Sequence, residues 1–157
     1  MKKTVFASAL ALLLTACTNT KPMNHSEKTA STATKEDMMD VSKTNLQHHH
    51  WVLTKINGEP VNSSEGFSAP TLEIGEAFTA NGNGGCNRYF GQAELQDGMF
   101  RVQSMASTMM ACPEQEMEIE NIVTDTLSEW SRVTLTKNHI YLNGKASLEF
   151  RLQDWVY

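Results

Sequence analysis

The chain has 157 residues, 13 Lys and Arg against 18 Asp and Glu, and a net charge of −5. That length holds one compact domain and leaves room for ancillary segments. A nucleic-acid binder would carry a basic stripe; none is present, so nucleic acid is excluded as a partner.

Lys2 and Lys3 open the chain, and an apolar run follows over residues 5–14. The run is shorter than the ~20 residues of a permanent membrane span and has the length of a secretory signal core. It ends in Leu14-Thr15-Ala16-Cys17. This resembles the bacterial lipobox, with small residues before a cysteine whose thiol takes a diacylglyceryl group as a thioether. The competing reading is an ordinary secreted protein cut at a small-residue site. A lipidated Cys17 would carry several acyl chains, enough for stable anchoring. Thr18, rather than an aspartate, follows it, so the expected location is the outer membrane with the domain facing the periplasm. Cleavage before Cys17 removes the two leading lysines, and −5 becomes −7. No polybasic patch remains, so the lipid is the expected membrane attachment. Residues 18–45 are rich in Ser, Thr and mixed charge, and are expected to form a flexible tether. The expected organisation is a signal peptide over 1–16, a lipidated cysteine and tether over 17–45, and a domain over 46–157.

Within the domain, Trp51 and Leu53 precede the turn signal Asn57-Gly58. Leu72, Ile74 and Phe78 flank a turn at Gly75. Asp97-Gly98 separates two strand-like runs, a hairpin signal. Val133 and Leu135, Ile140 and Leu142, then Leu148, Phe150 and Leu152 recur at every second residue, which predicts a three-stranded meander with one apolar face. One segment differs. Ile119, Ile122, Val123, Leu127 and Trp130 fall at helical spacing, Pro113 suits a helix start, and Glu114, Glu116 and Glu118 suit the positive end of the helix dipole. The helix is expected over residues 113–129, its glutamates on a solvated face. The expected fold class is α+β and β-dominant: a curved antiparallel sheet or partial barrel with one main amphipathic helix.

The stretch GNGGCNRYFG, residues 82–91, raises the question of chemistry. Asn87 stands where a dinucleotide fingerprint needs its third glycine, and Cys86-Asn87 is not a P-loop ending. The glycines are instead expected to turn or bulge the chain through positive φ. Once Cys17 is lipidated, Cys86 and Cys112 are the remaining thiols, in an oxidising compartment where two cysteines usually pair. Closing a loop of roughly 26 residues would contribute about 3 kcal/mol in the chain-entropy model. Free thiols, or a nucleophile with a base from His139 or residues 48–50, are the alternatives. His48, His49 and His50 cannot all face one ion on a strand, because alternate side chains point to opposite faces. His48 and His50 could share a face and chelate weakly, with Met38 and Met39 as soft ligands. The preferred reading is a solvated histidine run, and no metal is assigned. Met105, Met109, Met110 and Met117 read as adaptable core or groove residues. Ser104, Ser107 and Thr108 lack a nucleophile-elbow context, and no catalytic set is identified.

Taken together, Trp51-Val52-Leu53 with Ile56-Asn57-Gly58, the GNGGCNRYFG stretch, and Ser107-Thr108-Met109-Met110-Ala111-Cys112-Pro113 before an amphipathic helix resemble the META domain family over residues 46–152. The family's Gly-Cys-Asn element falls on Gly85, Cys86 and Asn87, and its Thr-x-Met-x-Cys element on Thr108, Met110 and Cys112. Trp51, Gly82 and Gly91 belong to the same structural set. Met109 stands where relatives often carry a basic residue. The resemblance implies a compact β-rich fold and a stress-associated, heat-shock-like envelope protein. It implies no catalytic residues and no cofactor. The signature is then architectural, placing Cys86 against Cys112. The expected function is a non-enzymatic lipoprotein contacting another envelope component, with a small-ligand or metal-binding module as the alternative.

Overall fold

The computed structural model describes residues 37–154. The expected signal peptide, Cys17 and the first part of the tether lie outside the described residues. Residues 37–45, placed in the tether by composition, pack onto the domain. β1 (Met38–Met39) pairs with the later strand β8 (Ser131–Thr136). The short helix α1 (Lys43–Leu46) starts at Ser42, whose hydroxyl accepts from the Asn45 N–H, and ends on a fully buried Leu46. Two local signals, a serine N-cap and one leucine, are too short to register as a periodic pattern.

The remaining strands are β2 (His50–Ile56), β3 (Glu59–Pro60), β4 (Thr71–Ile74), β5 (Thr79–Asn83), β6 (Arg88–Gln96), β7 (Met99–Ser107), β9 (His139–Asn143) and β10 (Ser147–Leu152). All described pairings are antiparallel. The order β8-β7-β6-β5-β4-β2-β10-β9 returns to β8 through a β8–β9 pairing, so the sheet closes into an eight-stranded barrel. The expected partial barrel is therefore corrected to a closed one. Alternation along a strand sets which face is buried; it does not say that β8 has a partner on each edge.

The local expectations hold where turn chemistry was explicit. Asp97 and Gly98 take φ of 52° and 73°, and Asn57 and Gly58 take 52° and 85°, so both pairs occupy the left-handed region that tight turns require. The meander of β8, β9 and β10 buries Val133, Leu135, Ile140, Leu142, Leu148 and Phe150. Trp51, Tyr89, Phe100 and Phe150 fill the interior together with the aliphatic side chains of the other strands. α2 (Glu114–Ser128) lies across one end of the barrel, with Val123 and Leu127 fully buried. Its flank meets the β2–β3 turn near Asn57 and the β9–β10 turn at Lys145 and Ala146. Leu46 is buried at the opposite end, just before β2 begins.

Candidate functional site

The signature stretch sits under the N-terminal half of α2. Gly82 lies inside β5, and a Cβ there would stand 2.0 Å from the Thr71 carbonyl oxygen and 2.8 Å from the Tyr89 hydroxyl. Gly82 is thus required by close approach and not by positive φ, which corrects the expectation for that residue. Tyr89 donates to the Thr71 carbonyl at 2.8 Å; burial, with Glu73 nearby, pushes its phenol far above the ordinary range. Gly85 does need its freedom: φ is 140°, and a Cβ would stand 3.0 Å from the Glu116 carbonyl oxygen. Gly91 sits at the β6–β7 register shift, where a Cβ would meet Val102 and the Gln103 carbonyl oxygen at 2.7 and 2.8 Å.

The loop is then tied from three sides. The Asn83 carboxamide oxygen accepts from the Gly85 N–H at 2.7 Å. Cys86 is bonded to Cys112, with Cα atoms 5.9 Å apart, joining the loop to the segment before α2 and taking up both thiols. The Glu120 carboxylate of α2 accepts from the backbone N–H of Cys86 at 3.1 Å, from that of Asn87, and from the Asn87 carboxamide at 3.0 Å. Asn87, itself buried, passes the network on. Its Oδ1 accepts from the Thr108 hydroxyl at 2.9 Å and from the Met110 N–H at 2.7 Å. Cys86, Asn87, Thr108, Met110, Cys112 and Glu120 therefore form one knot of loop, strand end and helix.

Glu116, one helical turn earlier, is 1% exposed. Its carboxylate accepts from the Ser64 N–H at 2.8 Å, which holds its pKa below the usual range and pins the 61–70 loop to the helix. The expectation of a solvated glutamate face is thus wrong for Glu116 and incomplete for Glu120. The signal was present: residues 116, 120, 123 and 127 fall on one stripe at helical spacing, so both glutamates share the face of Val123 and Leu127. On the outer side of the knot stand exposed apolar side chains. Phe90 is 63% exposed, Met109 97% and Met110 56%. They lie on adjoining stretches, since Phe90 pairs with Ala106 and the Thr108 N–H donates to the Arg88 carbonyl.

The histidines gather at the far rim. His49 Nδ1 lies 2.9 Å from Asp154 Oδ2, and His50 Nδ1 lies 2.6 Å from Glu73 Oε1. Asp154 also accepts from the His50 N–H at 2.9 Å. Burial raises the Asp154 pKa, but this backbone donor and the two histidines outweigh it, and the net shift is downward. Met38 and Met39 do not line this cleft. His139 stacks on Tyr141 and stands 4.0 Å from Glu149.

A small closed barrel, plugged at both ends and stapled by a cysteine pair beneath its helix, defines a compact scaffold with its polar and apolar features displayed outside. The chain belongs to the META domain family, which matches residues 44–155. It is 31% identical over 156 residues to the Heat shock protein HslJ of Escherichia coli (strain K12), covering 98% of each chain. Among solved structures, one NMR structure is 34% identical with a TM-score of 0.64, covering 73% of this chain and 97% of the other. A second, from Burkholderia xenovorans, has the same TM-score at 22% identity, covers 83% and 97%, and supports the fold alone.

Proposed function

We propose that this protein is a non-enzymatic outer-membrane lipoprotein whose META domain faces the periplasm and contacts another envelope protein under stress. The lipobox-like Leu14-Thr15-Ala16-Cys17 supports the anchor. The name of the E. coli relative supports an association with heat shock. The bonding of Cys86 to Cys112 speaks against thiol catalysis. The observation that carries the contact is the apolar group of Phe90, Met109 and Met110, exposed beside a knot that holds its backbone rigid. A preordered backbone adds little ordering cost on docking, so the cost left is the rotamer freedom of the side chains themselves.

The test is photo-crosslinking in cells from a reactive residue at position 109, with and without heat, followed by intact-mass measurement of the extracted protein. An adduct with an envelope protein that Phe90→Ala weakens is expected, on a chain that starts at Cys17 and carries a lipid-sized increment. Absence of any adduct from positions 90, 109 and 110 at both temperatures refutes the contact. An unlipidated chain refutes the anchor.

A further inference from the structure

The histidine run departs from strand alternation in a way that changes what it can do. β2 begins only at His50, and His48 sits in the left-handed region at φ 65°. The backbone kink brings His48, His49 and His50 to the border of a single open cleft of about 480 Å³, together with Glu73, Ile74, Gly75, Asn81 and Asp154. Among the described residues no Lys or Arg lines the cleft, and its carboxylates make it attractive to a cation. Asp154 holds His49 at Nδ1. A neutral ring that donates from Nδ1 to a carboxylate keeps its lone pair on Nε2, and His49 Nε2 has no hydrogen bond among the described residues. A carboxylate behind Nδ1 is the outer-shell arrangement that orients a metal-binding imidazole and raises its basicity. His48 has a side chain 61% exposed and stands 3.6 Å from Glu76, itself 91% exposed. Among the described residues the His48 ring is paired only with that exposed carboxylate, so turning toward the cleft breaks no buried contact.

We propose that this rim cleft takes one divalent transition-metal ion, with the imidazoles of His48 and His49 as ligands and Asp154 as the residue that positions His49. Among the described residues no three donors are already gathered around one point. The ion therefore recruits the two imidazoles and completes its shell with water. Paired imidazoles suit zinc, nickel and copper(II) and discriminate against magnesium and calcium, which prefer oxygen ligands. The proposal uses none of the residues of the envelope-contact reading: Phe90 pairs across β5 with Asn81 at the cleft border, while Met109 and Met110 lie beyond the end of β7.

The test is calorimetric titration of the full-length protein in detergent with zinc chloride and copper(II) chloride, with magnesium chloride as the comparison. Imidazole NMR spectra report which rings respond. One ion per chain at micromolar affinity is expected, with shifts at His48 and His49. The His48→Ala/His49→Ala protein should lose the binding. Asp154→Asn keeps both ligands and should weaken it about tenfold, the usual loss on removing an outer-shell carboxylate. The far-UV spectrum establishes that each variant is folded. Three outcomes overturn the proposal: no saturable zinc or copper binding, binding that persists without His48 and His49, or binding that Asp154→Asn leaves unchanged. The last would mean that an exposed histidine run chelates with no help from the cleft.

Discussion

Asn87→Ala removes the residue through which the knot communicates. The substitution deletes three well-formed hydrogen bonds: to Glu120 at 3.0 Å, from Thr108 at 2.9 Å and from the Met110 N–H at 2.7 Å. Each is worth roughly 1 kcal/mol net, and a buried group left unpaired costs about 1–3 kcal/mol. Met110 is 56% exposed, so water can reach its freed N–H and lessen that part of the loss. A destabilisation of about 2–3 kcal/mol follows, and a fall in Tm of roughly 8–12 °C for a domain of this size. The assay is urea denaturation followed by tryptophan fluorescence, repeated with Cys86 and Cys112 both replaced by serine. Without the disulfide, which is itself worth about 3 kcal/mol in the chain-entropy model, the loop is freer and Asn87 has less order to maintain. Asn87→Ala should therefore cost less in that background, with a coupling of at least about 0.5 kcal/mol. A loss below about 0.5 kcal/mol in the oxidised protein, or strict additivity, would refute the idea that disulfide and Asn87 act as one device.

Gly82→Ala should be the most damaging small substitution in the signature. Its Cβ meets backbone oxygen at 2.0 Å, and no side-chain rotation relieves that, whereas at Gly84 the tightest contact of a Cβ is the Glu120 Cγ at 3.0 Å, with the Asn87 carbonyl oxygen and Thr124 Cγ2 at 3.5 Å. Soluble yield and Tm of the two variants check the order, and equal behaviour would count against close approach as the reason for Gly82. The pH dependence follows from Glu116 and Asp154, both with folded pKa values below their ordinary values of 4.5 and 3.8. The stability they lend is complete above those ordinary values and lost as pH falls through the lower folded ones. Denaturant midpoints should therefore decline below about pH 4.5, and less so for Glu116→Gln than for the parent; an equal decline in both excludes Glu116 as a contributor.

Much of this architecture was legible because it is local. Leu148, Phe150 and Leu152 alternate, Asp97-Gly98 turns, and Val123 with Leu127 marks a helix face; each signal is contained within a few residues. The features that escaped depend on distant partners. Closure requires β8 to pair with both β7 and β9, and alternation is silent on that. Gly82 reads as a turn former until Thr71 and Tyr89 are placed beside it. Glu116 and Glu120 read as solvated because carboxylates usually are, yet the N–H groups of Ser64, Cys86 and Asn87 are donors that hydropathy cannot show. For the histidines, strand alternation holds only from His50 onward, where β2 begins; His48 at φ 65° lies before the strand and outside that pattern.

The filled interior decides where function can reside. Barrels of eight strands either pack side chains inside or hold one small ligand. Here Trp51, Tyr89, Phe100 and Phe150 occupy the lumen, α2 covers one end, and Leu46 is buried at the other. The surfaces that the two proposals use are external: the cleft at one rim, and the Met109–Met110 segment beyond the end of β7, with Phe90 on the strand face between them. At one end lies the point where the described chain enters, since Asp37 accepts through its carbonyl from Lys137 in the β8–β9 turn, and the Asn138 carbonyl there accepts from Leu152 next to the histidine cleft. At the other lie α2, the disulfide and the Met109–Met110 segment. A chain anchored through its N-terminus would present the histidine cleft toward its tether and the apolar knot away from it. The rigidity that Asn87, Glu120 and the disulfide confer is thus placed where a partner would be met at a distance from the anchor.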